Sequence, residues 1–463
     1  MPNIHFGTDG WRAIIGEDFT PENLEIVARA SAKSFKEKYG LGKIYVGHDC
    51  RLDAHKYAEL TARIVSEYGF DVVLTQDYCP TPTLCWSVAH DDAAVGGIML
   101  TSSHNASEYL GVKLRMKDGG ASPSDFTNRV EELFNCVDDC AKDAGSVVIS
   151  DLMTPYLESL KSMVDVDAIR AAKLHIALDP LFGASRLYLS GLLEEMGVKV
   201  TQIHETEDPS FQGLHPEPIS PWIDEGLELA KKTKCDALFI NDGDADRIAA
   251  GDCDGRYVNP HRIIMLVTKH LFDTGKRGRV VSTITASALL GRLCKKLGLE
   301  LTSTPVGFKW IYAEMQKSDV MVGGEESGGI GVPSHVMERD GLLMALLLCE
   351  MMAKTGKDIK TLVDDLLDEL GHMEFERRGL TVTDAQMQRF RNDTVPNYLP
   401  DEVCGMKVLG KDSRDGIKLL LENDCWVMMR PSGTEPLVRI YAEAENFTQV
   451  NELLTWAEKI VTE

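Results

Sequence analysis

The sequence predicts an α/β protein, built as three similar α/β domains in succession and a C-terminal α+β domain. Three observations carry that prediction. At 463 residues the chain exceeds one ordinary core, since domains run to about 100–200 residues each. Helical periodicity, as from Pro21 to Tyr39 and from His55 to Tyr68, alternates with short β-rich runs such as Lys43 to Val46 and Val72 to Leu74; this is the pattern of helices layered on a sheet. A weak internal repeat also recurs, in which an apolar strand runs into a polar loop.

The repeat orders the chain. Ile44-Tyr45-Val46 leads into Gly47-His48-Asp49, Ile176-Ala177-Leu178 into Asp179-Pro180, and Val280-Val281 into Ser282-Thr283. Each unit then offers a second strand whose loop has unusual chemistry. Gly97 to Leu100 precedes Thr101-Ser102-Ser103-His104-Asn105, and Ala237 to Ile240 precedes Asn241-Asp242-Gly243-Asp244-Ala245-Asp246-Arg247. Val320 to Val322 precedes Gly323-Gly324-Glu325-Glu326-Ser327-Gly328-Gly329. The expected α/β domains are residues 1–150, 151–255 and 256–370. From about Met373 the order changes to β, α, β-hairpin, α. Its hairpin strands run from Cys425 to Met429 and from Leu437 to Ala442, its last helix runs from Phe447 to Ile460, and residues 371–463 form the α+β domain. Ligands gather beyond the carboxyl ends of strands in open α/β sheets, so the three loops are candidates for one cleft.

Composition narrows the function. With 44% hydrophobic and 26% charged residues the chain reads as soluble and globular. Asp and Glu number 72 against 49 Lys and Arg, and the formal charge of -23 speaks against nucleic acid or an anionic membrane as partner. An acidic protein that binds a phosphorylated ligand must concentrate its cations where the phosphate lands, which directs attention to Arg in Gly-rich loops. Eleven cysteines with no C-x-x-C pair fit neither a zinc site nor a disulfide framework. The start, Met1-Pro2-Asn3-Ile4-His5, lacks the basic and apolar regions of a signal peptide. The most apolar run, Leu342 to Met352, is too short to span a bilayer, so a cytoplasmic location is expected.

Asp242, Asp244 and Asp246 alternate with the small Gly243 and Ala245, so a tight loop can turn three carboxylates toward one point. Crowded anions need a cation, and all-oxygen ligands favour Mg²⁺ or Mn²⁺ over zinc. Arg247 and Cys253 stand where a calcium hand needs Gly and Glu, which excludes an EF-hand. Ser103 follows an apolar strand, and no G-x-S-x-G elbow occurs in the chain. A phosphoryl group on Ser103 would add about -1.5 to -2 charges and demand a divalent ion beside the aspartates. Glu325 and Ser327 offer acceptors for sugar hydroxyls, in a loop that is neither a Walker A nor a dinucleotide motif. Arg430-Pro431-Ser432-Gly433-Thr434-Glu435-Pro436 joins two strands. There Arg430 can fork onto a phosphate, with Ser432, Thr434 and backbone N–H groups freed by the Gly433 turn as further donors.

Taken in order, these loops resemble the α-D-phosphohexomutase family, in particular its bacterial phosphoglucomutases and phosphomannomutases. The resemblance spans the chain, from Phe6-Gly7-Thr8-Asp9-Gly10-Trp11-Arg12 to the segment RPSGTEPLVRIY that starts at Arg430. It implies that the four domains surround a central active-site cleft and that the protein is an intramolecular phosphotransferase acting on a small sugar phosphate. Ser103 matches the serine phosphorylated in that family, and Ser103, Asp242, Asp244 and Asp246 match its Mg²⁺ site. Arg247 matches a substrate-contacting arginine, and Glu325 and Ser327 match residues that bind sugar hydroxyls. Arg430, Ser432, Gly433 and Thr434 match the loop holding the phosphate that is not reacting. Ala106 stands where the family commonly has Pro, and Ala245 where it often has Gly. Neither departure removes a reactive group.

In that family's scheme the phosphoserine phosphorylates a hexose 1- or 6-phosphate. The resulting hexose 1,6-bisphosphate, intermediate and activator, turns round and returns its other phosphate. His104, Lys113, Arg12 and Lys309 are the candidates for taking the sugar hydroxyl's proton, with charge stabilisation as the alternative role of Lys113 and Lys309. Glu325-Glu326-Ser327 looks more like the sugar loop of glucose-type mutases than the Glu-Met-Ser or Glu-Gln-Ser of mannose- and glucosamine-type members. α-D-Glucose phosphate is therefore the expected substrate. A phosphomannomutase or dual-specificity enzyme is the alternative, and a phosphoglucosamine mutase stands behind both. A metal-dependent phosphatase with Asp242 as nucleophile is disfavoured, because Asp246 breaks its usual Asp-x-Asp-x-Thr/Val loop. A non-catalytic binding protein would not need Ser103 and the aspartates together.

Overall fold

The structure is a computed structural model that describes residues 4–7, 9–135, 143–317, 319–432 and 436–462. It divides into one unit of Met1–Arg279 with Phe308–Val363, and a second of Val280–Gly307 with Asp364–Glu463.

In the first unit a six-stranded sheet runs in the order Trp11–Ile14, Tyr109–Arg115, Ala94–Leu100, Lys43–His48, Asp71–Thr75, Val147–Ser150. Its last four strands are parallel. Tyr109–Arg115 is antiparallel to both of its neighbours. Ala94–Leu100 is buried along its whole length, as expected of a strand covered on both faces. Helix Pro21–Tyr39 starts where its periodicity predicts: the Thr20 hydroxyl accepts from Asn23 N, and Pro21 sits in the first turn, where a missing N–H costs nothing. Helix Ala54–Ser66 follows, and Leu24, Val27, Phe35 and Val65 share a core with Ile44, Val46, Ile98 and Leu100 of the sheet.

A second sheet has the order Tyr257–Val258, Ile248–Gly251, Ala237–Asn241, His175–Asp179, Lys199–Gln202. His175–Asp179 is parallel to its neighbours, and Ala237–Asn241 pairs antiparallel with Ile248–Gly251. Farther along, Val320–Gly324 pairs antiparallel with Ile330–Gly331. One layout thus occurs three times: a strand leaves through a chemical loop and the chain returns antiparallel beside it. The loops beginning at Thr101, Asp242 and Glu325 are hairpin ends held by both limbs. The two later return strands are invisible in the sequence because Ile248-Ala249-Ala250-Gly251 and Ile330-Gly331 are too short to show a period.

The apolar run from Leu342 to Met352 lies within helix Gly341–Thr355 and is buried on every side. It packs against helices Val166–Ala172 and Pro260–Asp273. Asp340 caps it, accepting from Leu343 N at 2.9 Å and from the Tyr156 hydroxyl at 2.8 Å. Among the described residues no helix is long and apolar enough to cross a membrane.

In the second unit Val280 to Thr283 pairs in parallel with Leu301 to Thr304. A six-stranded antiparallel sheet takes the order Glu374–Thr381, Leu437–Ala444, Trp426–Pro431, Ile417–Leu421, Met406–Asp412, Glu402–Val403. Helix Phe447–Thr462 packs on it. The hairpin and the leading strand read from the sequence are there, the latter as Glu374–Thr381, but three further strands extend the sheet. Met406–Asp412 escapes a period-two reading because a bulge between Val408 and Gly410 breaks its alternation.

Candidate active site

Ser103 stands beyond the end of Ala94–Leu100 with φ 51°, a left-handed conformation unusual for a residue with a side chain. Its hydroxyl donates to Asp242 Oδ2 at 2.8 Å. The two loops approach this closely because residue 243 is glycine: a Cβ there would lie 2.3 Å from the Ser103 carbonyl oxygen. From behind, Ala184 N donates to Gly243 O at 2.9 Å and Gly243 N donates to Pro216 O at 3.2 Å. His104 Nδ1 lies 3.5 Å from Ser103 Oγ, and Arg12 Nη1 donates to Asn105 Oδ1 at 2.6 Å.

Asp242, Asp244 and Asp246 are fully buried, with one oxygen of each within 4.8 Å of the others. Among the described residues Asp244 Oδ1 and Asp246 Oδ1 are buried without a hydrogen-bond partner. Buried carboxylate oxygens seldom stay so, and three hard anionic donors at this spacing fit an ion such as Mg²⁺. The trio also faces cations, Asp246 Oδ1 included, which has Arg247 Nε at ion-pair distance. Lys113 Nζ donates to Asp244 Oδ2 at 2.7 Å and to Asp246 Oδ2 at 3.0 Å. Arg339 Nη2 lies 2.7 Å from Asp246 Oδ2, and Arg247 Nε lies 3.8 Å from both Asp242 and Asp246. Asp9 joins the network, with Oδ2 at 3.1 Å from Lys113 and 2.6 Å from Arg339. Burial, with Asp246 and Asp244 alongside, pushes the Asp242 carboxyl well above the usual range. Burial acts the same way on Asp244, but Lys113 and the Thr81 hydroxyl, which donates to it at 2.5 Å, hold it low. Burial opposes the charge on Lys113, yet Asp244, Asp246 and Asp9 outweigh that and raise its pKa.

The Glu325 loop is tied to the aspartate loop. Ile248 N donates to Gly328 O at 3.0 Å, Arg247 forms a bridge with Gly329, and Glu325 Oε2 lies 3.9 Å from Arg339 Nη1. Ser327 Oγ is enclosed and makes no hydrogen bond among the described residues. Of the four proton-acceptor candidates Lys309 reaches elsewhere, donating to Ser124 Oγ at 3.1 Å. Arg430 and Ser432 belong to the second unit. There Arg430 Nε donates to Asp415 Oδ2 at 2.8 Å, Ser432 N donates to Leu437 O at 2.8 Å, and Arg391 Nη2 donates to Ser432 O. Gly433 and Thr434 lie outside the described residues. Sequence reasoning gave no role to Asp9, Thr81 or Arg339, nor to Arg51, whose guanidinium donates to Ser103 O at 2.7 Å. Their only signals were places beside motifs: Asp9 in the opening segment, Arg51 after a strand-end loop, Arg339 ahead of the apolar run.

Four domain descriptions match the chain in order. Phosphoglucomutase/phosphomannomutase alpha/beta/alpha domain I matches residues 3–139, domain II 154–255, domain III 259–370 and the C-terminal domain 398–455. A phosphoglucomutase/phosphomannomutase of Thermococcus kodakarensis is 31% identical over 99% of this chain and 98% of its own. A probable phosphoglucosamine mutase of Methanosphaera stadtmanae is 30% identical over 99% of this chain and 97% of its own. Among solved structures, one from Thermus thermophilus, described there as a phosphomannomutase, has a TM-score of 0.88 at 35% identity, covering 100% of this chain and 99% of that one.

The contact between the two loops makes a stability prediction. Gly243→Ala forces the Ser103 carbonyl away and should cost about 1–3 kcal/mol, as overpacking does. Gly191→Ala, whose Cβ meets nothing within 4 Å on a helix, should instead gain about 0.5–1 kcal/mol. Urea unfolding of both variants checks this, and equal midpoints would contradict the close approach.

Proposed function

This chain belongs to the phosphoglucomutase/phosphomannomutase family of phosphohexomutases, and from that premise we propose that its substrate is α-D-glucose phosphate. In this reading the 1- and 6-phosphates interconvert through a phosphorylated Ser103 and a bound glucose 1,6-bisphosphate. The observation that carries it is the Ser103 hydroxyl on Asp242 at 2.8 Å, within a carboxylate trio of which two buried oxygens make no hydrogen bond among the described residues.

Asp242, Asp244, Asp246 and the phosphorylated Ser103 would hold Mg²⁺, which when bound neutralises charge on the transferring phosphoryl group. The chain's own groups supply the positioning. The Ser103 O–P bond breaks as the sugar oxygen forms its own, and the displaced hydroxyl proton passes to a base. His104 Nδ1, 3.5 Å from Ser103 Oγ, is in reach of the transfer, which favours it as that base. Lys113, engaged by Asp244 and Asp246, favours charge stabilisation, and Arg12 steadies Asn105 in the serine loop. Arg247, Glu325 and Ser327 bind the sugar. Arg430, Ser432, Gly433 and Thr434 grip the phosphate that is not reacting. These loops come one from each of the domains 1–150, 151–255, 256–370 and 371–463. The glucose preference rests on Glu325-Glu326-Ser327. A cytoplasmic setting suits the free cysteines, six of the nine described, Cys79, Cys85, Cys235, Cys294, Cys349 and Cys425, being buried.

An assay with glucose 1-phosphate, Mg²⁺ and trace glucose 1,6-bisphosphate should yield glucose 6-phosphate without free phosphate. Mannose and glucosamine phosphates should turn over at least about tenfold less efficiently, and Ser103→Ala should lose the activity. Faster turnover of either rival sugar would overturn the glucose reading; full activity of Ser103→Ala would end the phosphoserine reading. Calorimetric titration of Mg²⁺ into the full chain should show one site, weakened about tenfold or more in Asp246→Asn. An unchanged isotherm would remove Asp246 from the metal site.

A further inference from the structure

Ser103 must offer its oxygen along one direction from a left-handed backbone, in a loop without strand or helix. One enclosed side chain holds that loop. Arg51 Nη2 donates to the carbonyls of Ser103 and Asn105, each at 2.7 Å. Its Nη1 donates to those of Ala106 at 2.7 Å and Tyr109 at 3.0 Å. Arg51 Nε meets Asp49 Oδ2 at 3.2 Å, and the same oxygen accepts from the Thr101 hydroxyl at 2.5 Å. Thr101 Oγ1 in turn accepts from Ser103 N at 2.9 Å. Ser103 is therefore gripped at its N–H and its C=O by one connected group of side chains. Arg51 and Asp49 have no exposed side-chain surface, and the guanidinium lies 5.1 Å from the ring of buried Phe211.

We propose that Arg51, anchored by Asp49 and Thr101, is the positioning residue that aims Ser103 Oγ, acting through the loop backbone without touching the phosphoryl group. The proposal rests on Ser103 being the phosphoryl carrier. A planar guanidinium has donors enough to meet four carbonyls and a carboxylate at once, whereas an ammonium has three donors about a single point. The sugar and its distant phosphate are bound by other loops, so a loosened Ser103 should slow transfer and leave ground-state binding intact. A brace that merely stabilised the fold would lower the unfolding midpoint and leave kcat of the folded enzyme unchanged.

The test compares Arg51→Lys, Thr101→Val and Thr101→Ser with the wild type as full chains, measuring unfolding midpoints, kcat and KM for glucose 1-phosphate. Arg51→Lys and Thr101→Val should lose about 10- to 100-fold in kcat with KM within about twofold. Thr101→Ser, which keeps the hydroxyl, should recover most of the loss. The proposal is overturned by folded Arg51→Lys with wild-type kcat, or by a loss that appears in KM alone. Should Arg51→Lys not fold, Thr101→Val decides on the same terms. A wild type inactive on glucose, mannose and glucosamine phosphates would instead bring down the phosphoserine reading itself, and the proposal with it.

Discussion

Three carboxylates share one buried point, and the surrounding structure is arranged to make that tolerable. At an effective dielectric of about 20, two unit charges 4.8 Å apart repel by about 3–4 kcal/mol. Burial, with that repulsion, is what pushes the Asp242 carboxyl up. Lys113, Arg339 and Arg247 answer that repulsion from three different segments. Asp9 then fixes two of those cations to the opening segment. Cations already surround the trio, so an added Mg²⁺ must win its place through ligand geometry as well as charge. Asp244 Oδ1 and Asp246 Oδ1, which make no hydrogen bond among the described residues, are what it would gain.

The fold delivers its chemical loops by one device used three times. Each loop caps an antiparallel hairpin at a sheet end, so its residues are fixed from both sides. Small residues then let the loops touch. Gly243 admits the Ser103 carbonyl, and Gly341 N donates to Ala245 O at 3.1 Å, where a Cβ on residue 341 would collide with Asn241 and Arg247. The cores behind the loops carry the stability, while the loops carry strain, as in the left-handed backbone of Ser103 and Ala245.

Much of this was legible in the sequence for a local reason. Asp242, Asp244 and Asp246 announce themselves through alternation with Gly243 and Ala245, and helix Pro21–Tyr39 through its period and its Thr20-Pro21 start. What was not legible depends on distance along the chain. Lys113 meets Asp244 across 131 positions, and Arg339 meets Asp9 across 330. No local pattern marks either pair. Arg51 was hidden differently, since it works on backbone carbonyls, which every residue has. The short return strands and the bulged Met406–Asp412 lack the length or the regularity that a period needs.

In the proposed reaction the oxygen held by Asp242 is the one that carries phosphate. The most direct measurement is peptide mass spectrometry of the enzyme after brief incubation with glucose 1,6-bisphosphate, and again after excess glucose 6-phosphate. One phosphoryl group, located on Ser103, should be present in the first sample and discharged in the second. Phosphate on a different residue, or an active enzyme that never carries any, would contradict it.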